Sequence, residues 1–189
     1  MEVNTWDEAY KRRETPWDTG RPSMHLVNNV KLFDPKIALD ICSGPGNDAE
    51  FLAKHGSIIC IDISINAIRS AKKKAAENNM KVDLVLGSVL QMPFKSEVFT
   101  FVNDRGCFHH IDPQNRKIFS KELLRIMKKK SRYLMQGFCK KEKCIVGPQK
   151  LSEEEVRETF KKMKIISLKE DRMDKTFDYK NAYVMVAEK

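Results

Sequence analysis

With 189 residues, 41% of them hydrophobic and 32% charged, the chain can bury a core of its own and is too apolar for a disordered segment. No apolar run approaches the ~20 residues of a membrane span, which excludes an integral helical membrane protein. The net charge of +9 is concentrated in residues 121–164, where 14 Lys and Arg face 6 Asp and Glu. That region reads as a nucleic-acid surface or as a lysine-rich solvated face. The second is favoured, because no aromatic residues are interleaved for base stacking apart from Tyr133 and Phe138 in a strand-like run.

Residues 1–35 form a segment of their own. The first fourteen alternate acidic and basic residues without an apolar stretch, so they do not read as a secretory signal, and a cytoplasmic setting is expected. The segment holds both tryptophans of the chain, Trp6 and Trp17, with Tyr10 and Phe33. It is either a packing arm or a lid over a ligand crevice.

From residue 36 onward strand and helix patterns alternate. Residues 36–41 are a short apolar run closed by a glycine turn, and residues 47–55 read as a helix that Gly56 stops. Residues 57–62 form the next strand. Ser64 caps a helix through Asn78, with Ile65, Ile68, Ala71 and Ala75 near one stripe. Strands follow at 82–86 and 98–102. Asp112-Pro113 opens a helix whose apolar positions include Phe119, Leu123, Ile126 and Met127. A strand at 133–138, a capping box at Ser152 and Glu155, and strands near 164–169 and 182–187 complete the pattern. The last two are joined by a charged loop at 170–180 and suit an antiparallel closing hairpin. Repeated strand–helix units predict one α/β domain, a doubly wound, mostly parallel sheet with helices on both faces. The expected division is an arm at 1–35 and the main fold at 36–189.

The five cysteines, Cys42, Cys60, Cys107, Cys139 and Cys144, are scattered and include no CxxC pair, so no zinc or thioredoxin motif is present. They read as reduced, mostly buried thiols. No metal site is expected.

The segment from Asp40 to Asn47 carries the chemistry. A strand runs into a turn containing Gly44 and Gly46 and then into a helix start with free N–H groups. Asp62, at the end of the next strand, can accept two hydrogen bonds from ribose hydroxyls. Residues 44–49 also fit the GxGxxA form of a dinucleotide fingerprint. Asp40, however, would repel a pyrophosphate and suits a cationic ligand such as S-adenosylmethionine. An NAD-linked oxidoreductase is therefore disfavoured.

On these residues, positions 36–104 resemble the class I S-adenosylmethionine-dependent methyltransferases. Asp40, Gly44 and Gly46 match that family's first motif, and Asp62, followed by Ile63, matches its ribose-binding acid. Ser88 and Val89 stand where the family approaches adenine, and Asp104 stands close to the transferred methyl. The sequence departs from the pattern at Cys42, where the motif usually has a glycine, and at Ser88, where an acid is usual. A narrower resemblance, to thiol, halide and thiopurine methyltransferases, rests on residues 6–10, on residues 15–21 and on Asp104-Arg105-Gly106. It implies that Trp6 and Trp17 lie across the cofactor and that Arg105 faces the acceptor, with Trp17 and Phe108 beside it. Asp104, Arg105 and His109 are the catalytic candidates, His109 as a general base.

Methyl transfer from a sulfonium needs alignment and a dry pocket rather than leaving-group protonation. A small soft nucleophile, a thiol or a related chalcogen or halide, is the expected acceptor, handled by a monomer or weak dimer without a membrane. The other readings are a protein or RNA acceptor docked through residues 121–164 and a non-catalytic nucleotide-binding module.

Overall fold

The computed structural model describes residues 3–140, 149–173 and 181–189. Cys144, most of the 139–150 segment and residues 174–180 of the charged loop lie outside the described residues. Among the described residues, seven strands form one sheet: β1 (Ile37–Ile41), β2 (Ser57–Asp62), β3 (Asp83–Leu86), β4 (Phe99–Arg105), β5 (Met127–Phe138), β6 (Lys164–Asp171) and β7 (Ala182–Glu188). Their spatial order is β3-β2-β1-β4-β5-β7-β6. The first five run parallel, and β7 is antiparallel to both β5 and β6. The expected doubly wound sheet and closing hairpin are both present.

Among the described residues, six α-helices accompany the sheet: α1 (Val3–Arg12), α2 (Met24–Phe33), α3 (Asn47–Leu52), α4 (Ile65–Glu77), α5 (Arg116–Ile126) and α6 (Glu153–Thr159). On one face, Leu26 and Phe33 of α2 and Ala49 and Leu52 of α3 pack on Ala38, Phe101 and Leu134. The Phe33 and Phe101 rings stack 4.7 Å apart. On the other face, Phe119, Leu123 and Ile126 of α5 and Val156 of α6 cover Leu39, Ile41, Val102, Tyr133 and Met135. Each large apolar side chain so buried contributes about 1.5–3 kcal/mol.

Local chemistry sets the boundaries. Gly56 ends the turn after α3 because a Cβ there would sit 2.1 Å from the Pro35 carbonyl oxygen. Ser64 caps α4 by accepting the Ala67 N–H, and Ser152 and Glu155 form the expected capping box. Within the stretch 1–35, α2 buries Leu26, Val30 and Phe33 and forms part of the sheet's cover. Two expectations need correction. Asp112 makes no side-chain cap, since Pro113–Asn115 first form a 3₁₀ turn and α5 begins only at Arg116. β5 starts six residues earlier than its apolar run, at Met127. Lys128, Lys129 and Lys130 stand exposed where the pairing with β4 skips from Phe99 to Phe101.

The chain winds outward from β1 through β2 to β3, then returns to β4 on the opposite side of β1. This reversal leaves a crevice at the carboxyl ends of β1 and β4, where open α/β sheets bind ligands.

Candidate active site

The turn after β1 takes three left-handed residues in quick succession: Cys42 (φ 48), Gly44 (φ 55) and Gly46 (φ 80). This conformation is open to glycine and costly for most other residues. Asp62 closes the turn from the neighbouring strand, accepting hydrogen bonds from the Gly44 and Ser64 N–H groups at 2.9 Å each. Burial pushes its carboxyl up, against those N–H groups. Ile63 follows it, half-buried. Beyond β3, Ser88 accepts the Leu90 N–H at 3.2 Å and Val89 is buried. Gly44, Gly46, Asp62, Ile63, Ser88 and Val89 thus line the carboxyl ends of β1, β2 and β3.

The N-terminal segment lies over this turn. Asp7 accepts hydrogen bonds from the Ser64 hydroxyl at 2.5 Å and the Asn66 N–H at 3.3 Å, tying α1 to the start of α4. Trp17 donates its indole N–H to the Tyr10 hydroxyl at 3.1 Å, and that hydroxyl stands 3.0 Å from where a Cβ on Gly44 would be. Trp6 meets Trp17 edge-on at 5.2 Å and His110 at 4.7 Å. Both tryptophans therefore sit at the crevice. Tyr10, noted in the same segment but not assigned to the site, joins them; its position one helical turn from Trp6 was the available signal.

Below the turn, one face of the sheet carries a buried polar layer. Asn103 donates its amide to Asp40 at 2.8 Å and to Asp48 at 3.0 Å. Asp48 also accepts the Ser23 N–H at 2.6 Å, and the Ser23 hydroxyl donates to Gln136 at 2.6 Å. Burial and the facing Asp48 carboxylate push the Asp40 carboxyl well above its ordinary range. Arg105 reaches Asp48 at 3.5 Å and donates to the Arg21 carbonyl at 3.1 Å and the Thr19 hydroxyl at 3.2 Å. Its guanidinium, then, clamps the arm to the sheet. Asp48, Asn103 and Gln136 were not anticipated. They lie on β4, β5 and the first turn of α3, and only the register brings them together.

Asp104 points to the opposite face. It accepts the Tyr133 hydroxyl at 2.6 Å, the Cys107 N–H at 2.7 Å and the Phe108 N–H at 3.2 Å. Burial raises its carboxyl to about 6. It is wholly buried and holds the turn after β4, rather than facing the crevice as expected. Phe108 also needs correction as an acceptor contact. It is fully buried against Phe119 and Phe160, with the Arg116 guanidinium 5.2 Å over its ring. His109 accepts the Phe138 N–H on Nδ1 at 2.9 Å, so its proton resides on Nε2 and its lone pair is engaged. Burial pushes this imidazole well below its usual range, and His110, partly shielded, falls to about 4. His109 is therefore neutral and tied to β5, an arrangement that does not suit a general base.

The cysteine expectation is overturned: Cys42 and Cys107 form a disulfide linking the turn after β1 to the turn after β4. Cys60 and Cys139 are free and buried, as expected. Among the described residues, no group of three or more His, Cys, Asp or Glu could hold a metal ion. No described helix is long and apolar enough to cross a membrane.

Residues 38–130 match a family model described as a methyltransferase domain. The probable thiol methyltransferase 2 of Arabidopsis thaliana is 27% identical over 128 residues, 65% of this chain and 56% of the relative. The chain spans about half the length of the curated relatives it matches. A structure from work on the conversion of a disulfide bond into a thioacetal group during echinomycin biosynthesis superposes with a TM-score of 0.85. It is 21% identical and covers 100% of this chain and 93% of its own. The 1,6-didemethyltoxoflavin-N1-methyltransferase of Burkholderia thailandensis, with S-adenosylhomocysteine bound, gives a TM-score of 0.78 at 17% identity, covering 99% of this chain and 86% of its own. The fold is that of these two structures.

Proposed function

We propose that the protein is a class I S-adenosylmethionine-dependent methyltransferase acting on a small soft acceptor, a thiol or related chalcogen or halide nucleophile. The observation that carries this reading is the glycine turn set between Asp40 and Asp62 beneath an aromatic lid. Gly44 and Gly46 let a ligand approach the backbone, and Asp62 stands at the rim where ribose hydroxyls would be received. Asp48, and Asp40 once a nearby cation offsets the burial and the facing carboxylate that push its carboxyl up, make a floor that suits a cation and would repel a pyrophosphate. The residues present therefore fit the cofactor.

When bound, S-adenosylmethionine supplies a methyl group activated on a positively charged sulfur. Asp62 would hold the ribose, Ser88 and Val89 the adenine side, and Asp40 the cationic end through Asn103 and the turn backbone. Trp6, Tyr10 and Trp17 would cover the cofactor from above. Arg105 fixes the lid through Thr19 and Arg21 and places a permanent cation at the crevice, where it favours an acceptor that reacts as an anion. His109 has its lone pair engaged, which favours a nucleophile that needs no base. A thiol is already partly ionised near neutral pH. The Arabidopsis relative named as a thiol methyltransferase and the echinomycin structure concerned with disulfide sulfur both support sulfur as the acceptor atom.

The basic region gives little support to a macromolecular acceptor. Lys128, Lys129 and Lys130 lie at the amino end of β5, and Lys164 joins them through the pairing of β6 and β7. That is the end of the sheet opposite the crevice. The test is a screen of thiols, halides, selenite and tellurite with labelled methyl donor, alongside RNA and protein acceptors. Transfer to a small thiol or chalcogen is expected. Transfer to RNA or protein alone would overturn the acceptor assignment.

A further inference from the structure

Cys42 and Cys107 occupy positions that only the fold makes adjacent. They are 65 residues apart in sequence, yet each follows one of two neighbouring parallel strands. Cys42 comes directly after β1 and opens the glycine turn. Cys107 comes two residues after β4, its N–H held by Asp104. Ile41 and Asp104 are opposed in the sheet, so the two turns leave it side by side at the mouth of the crevice. The Cα atoms are 5.5 Å apart, within the ordinary range for a disulfide. A bond here joins the loop that would receive the cofactor to the loop that would face the acceptor.

We propose that Cys42 and Cys107 are a reversible redox site whose disulfide and dithiol forms differ in affinity for the nucleoside cofactor. The oxidising partner is a low-molecular-weight disulfide. Cys42 is partly exposed and Cys107 is buried, which sets the order of events. The Cys42 thiolate attacks the small disulfide, breaks its S–S bond, forms a mixed disulfide and releases the first small thiol. Cys107 then attacks the Cys42 sulfur, forms the internal bond and releases the second. Two protein protons leave with the two small thiols, and the protein pair is oxidised by two electrons as the small disulfide is reduced.

The coupling to binding follows from where the bond lies. A disulfide holds its two sulfurs at bonding distance, whereas two thiols require van der Waals separation, so reduction must let the two turns draw apart. Cys42 is itself left-handed at φ 48, and Gly44, two residues on, lies against the Tyr10 hydroxyl. A shift of Cys42 therefore reaches both the glycine turn and the lid above it. The dithiol widens the crevice mouth and favours the bound cofactor. By linkage, the bound cofactor must in turn favour the dithiol.

This inference rests on the proposed cofactor, and the experiment separates the two. Full-length protein is equilibrated with dithiothreitol or with oxidised glutathione, and the Cys42–Cys107 linkage is read by mass spectrometry of unreduced peptides. S-adenosylhomocysteine binding is then measured by calorimetry in both states. The link is expected to form with oxidised glutathione and to open with dithiothreitol. The reduced form should bind at least fivefold more tightly, and added S-adenosylhomocysteine should lower the oxidised fraction in a glutathione buffer. Cys42→Ser, at the partly exposed position, should bind equally under both conditions, and Cys107→Ser provides a second test at the buried one. Equal affinity of the linked and unlinked wild-type protein would overturn the proposal, as would a link that does not respond to either reagent. A responsive link with no S-adenosylhomocysteine binding in either state would overturn the cofactor reading, and the coupling with it.

Discussion

Asp104 shows how a single acid can be conspicuous in a sequence and serve an unexpected purpose. It ends β4 beside Arg105, and the sequence points it at the reacting centre. The alternation of β4 sends the two side chains to opposite faces: Arg105 reaches Asp48, while Asp104 meets Tyr133 and the turn N–H groups. Burial raises the Asp104 carboxyl from 3.8 to about 6, so folding favours its protonated form. A raised acid contributes stability that is complete below its unfolded value and is lost as pH rises through its folded value. The wild type should therefore lose stability relative to Asp104→Asn between about pH 4 and 7, by at most about 3 kcal/mol. Urea unfolding of both proteins across that range checks this; a pH-independent difference would show that Asp104 is not raised. Phe108 and His109 follow the same logic. The residue types suggest an acceptor wall and a base, but the short 3₁₀ turn directs Phe108 into the core and places His109 Nδ1 against the β5 backbone.

Among the elements, the segment before β1 carries the most information. α2 is an ordinary packing helix. α1 and residues 13–22 are held by polar contacts: Asp7 to Ser64, Asp18 to Asn47, and Arg105 to Thr19 and Arg21. The sequence indicated a function through its concentrated tryptophans but not how the segment was fastened, because the fasteners are ordinary polar residues up to 86 positions from their partners. Arg105→Ala removes the clamp. Protease cleavage within residues 13–22 should accelerate severalfold, and turnover on a thiol should fall roughly tenfold or more, the scale of losing hydrogen bonds to a charged group. Arg105→Lys should recover only part of both, since an ammonium lacks the planar fork that spans Thr19 and Arg21. Unchanged proteolysis with reduced turnover would assign Arg105 to the acceptor alone. The early start of β5 was hidden for a different reason: Lys128, Lys129 and Lys130 are exposed in the irregularity between the Met127 and Arg132 pairings with β4, and hydrophobic periodicity cannot register that.

At the scale of the whole molecule, the parallel half of the sheet was legible because each strand is a short apolar run closed by a turn or cap. The glycine turn and Asp62 were legible because both act close to their own strand ends. The polar layer of Asp40, Asp48, Asn103, Ser23 and Gln136 and the Cys42–Cys107 link were not legible, since sheet order alone assembles them. The same order separates charge from chemistry, with lysines at the amino ends of the strands and acids in the crevice at the carboxyl ends. A small cationic cofactor received at the acidic end is the central claim. Calorimetric titration of the full-length protein, reduced, with S-adenosylmethionine, S-adenosylhomocysteine and NAD tests it most directly. Both adenosyl ligands should bind at least about tenfold more tightly than NAD, a margin of about 1.4 kcal/mol. NAD binding more tightly than either, or no binding of S-adenosylhomocysteine, would contradict it.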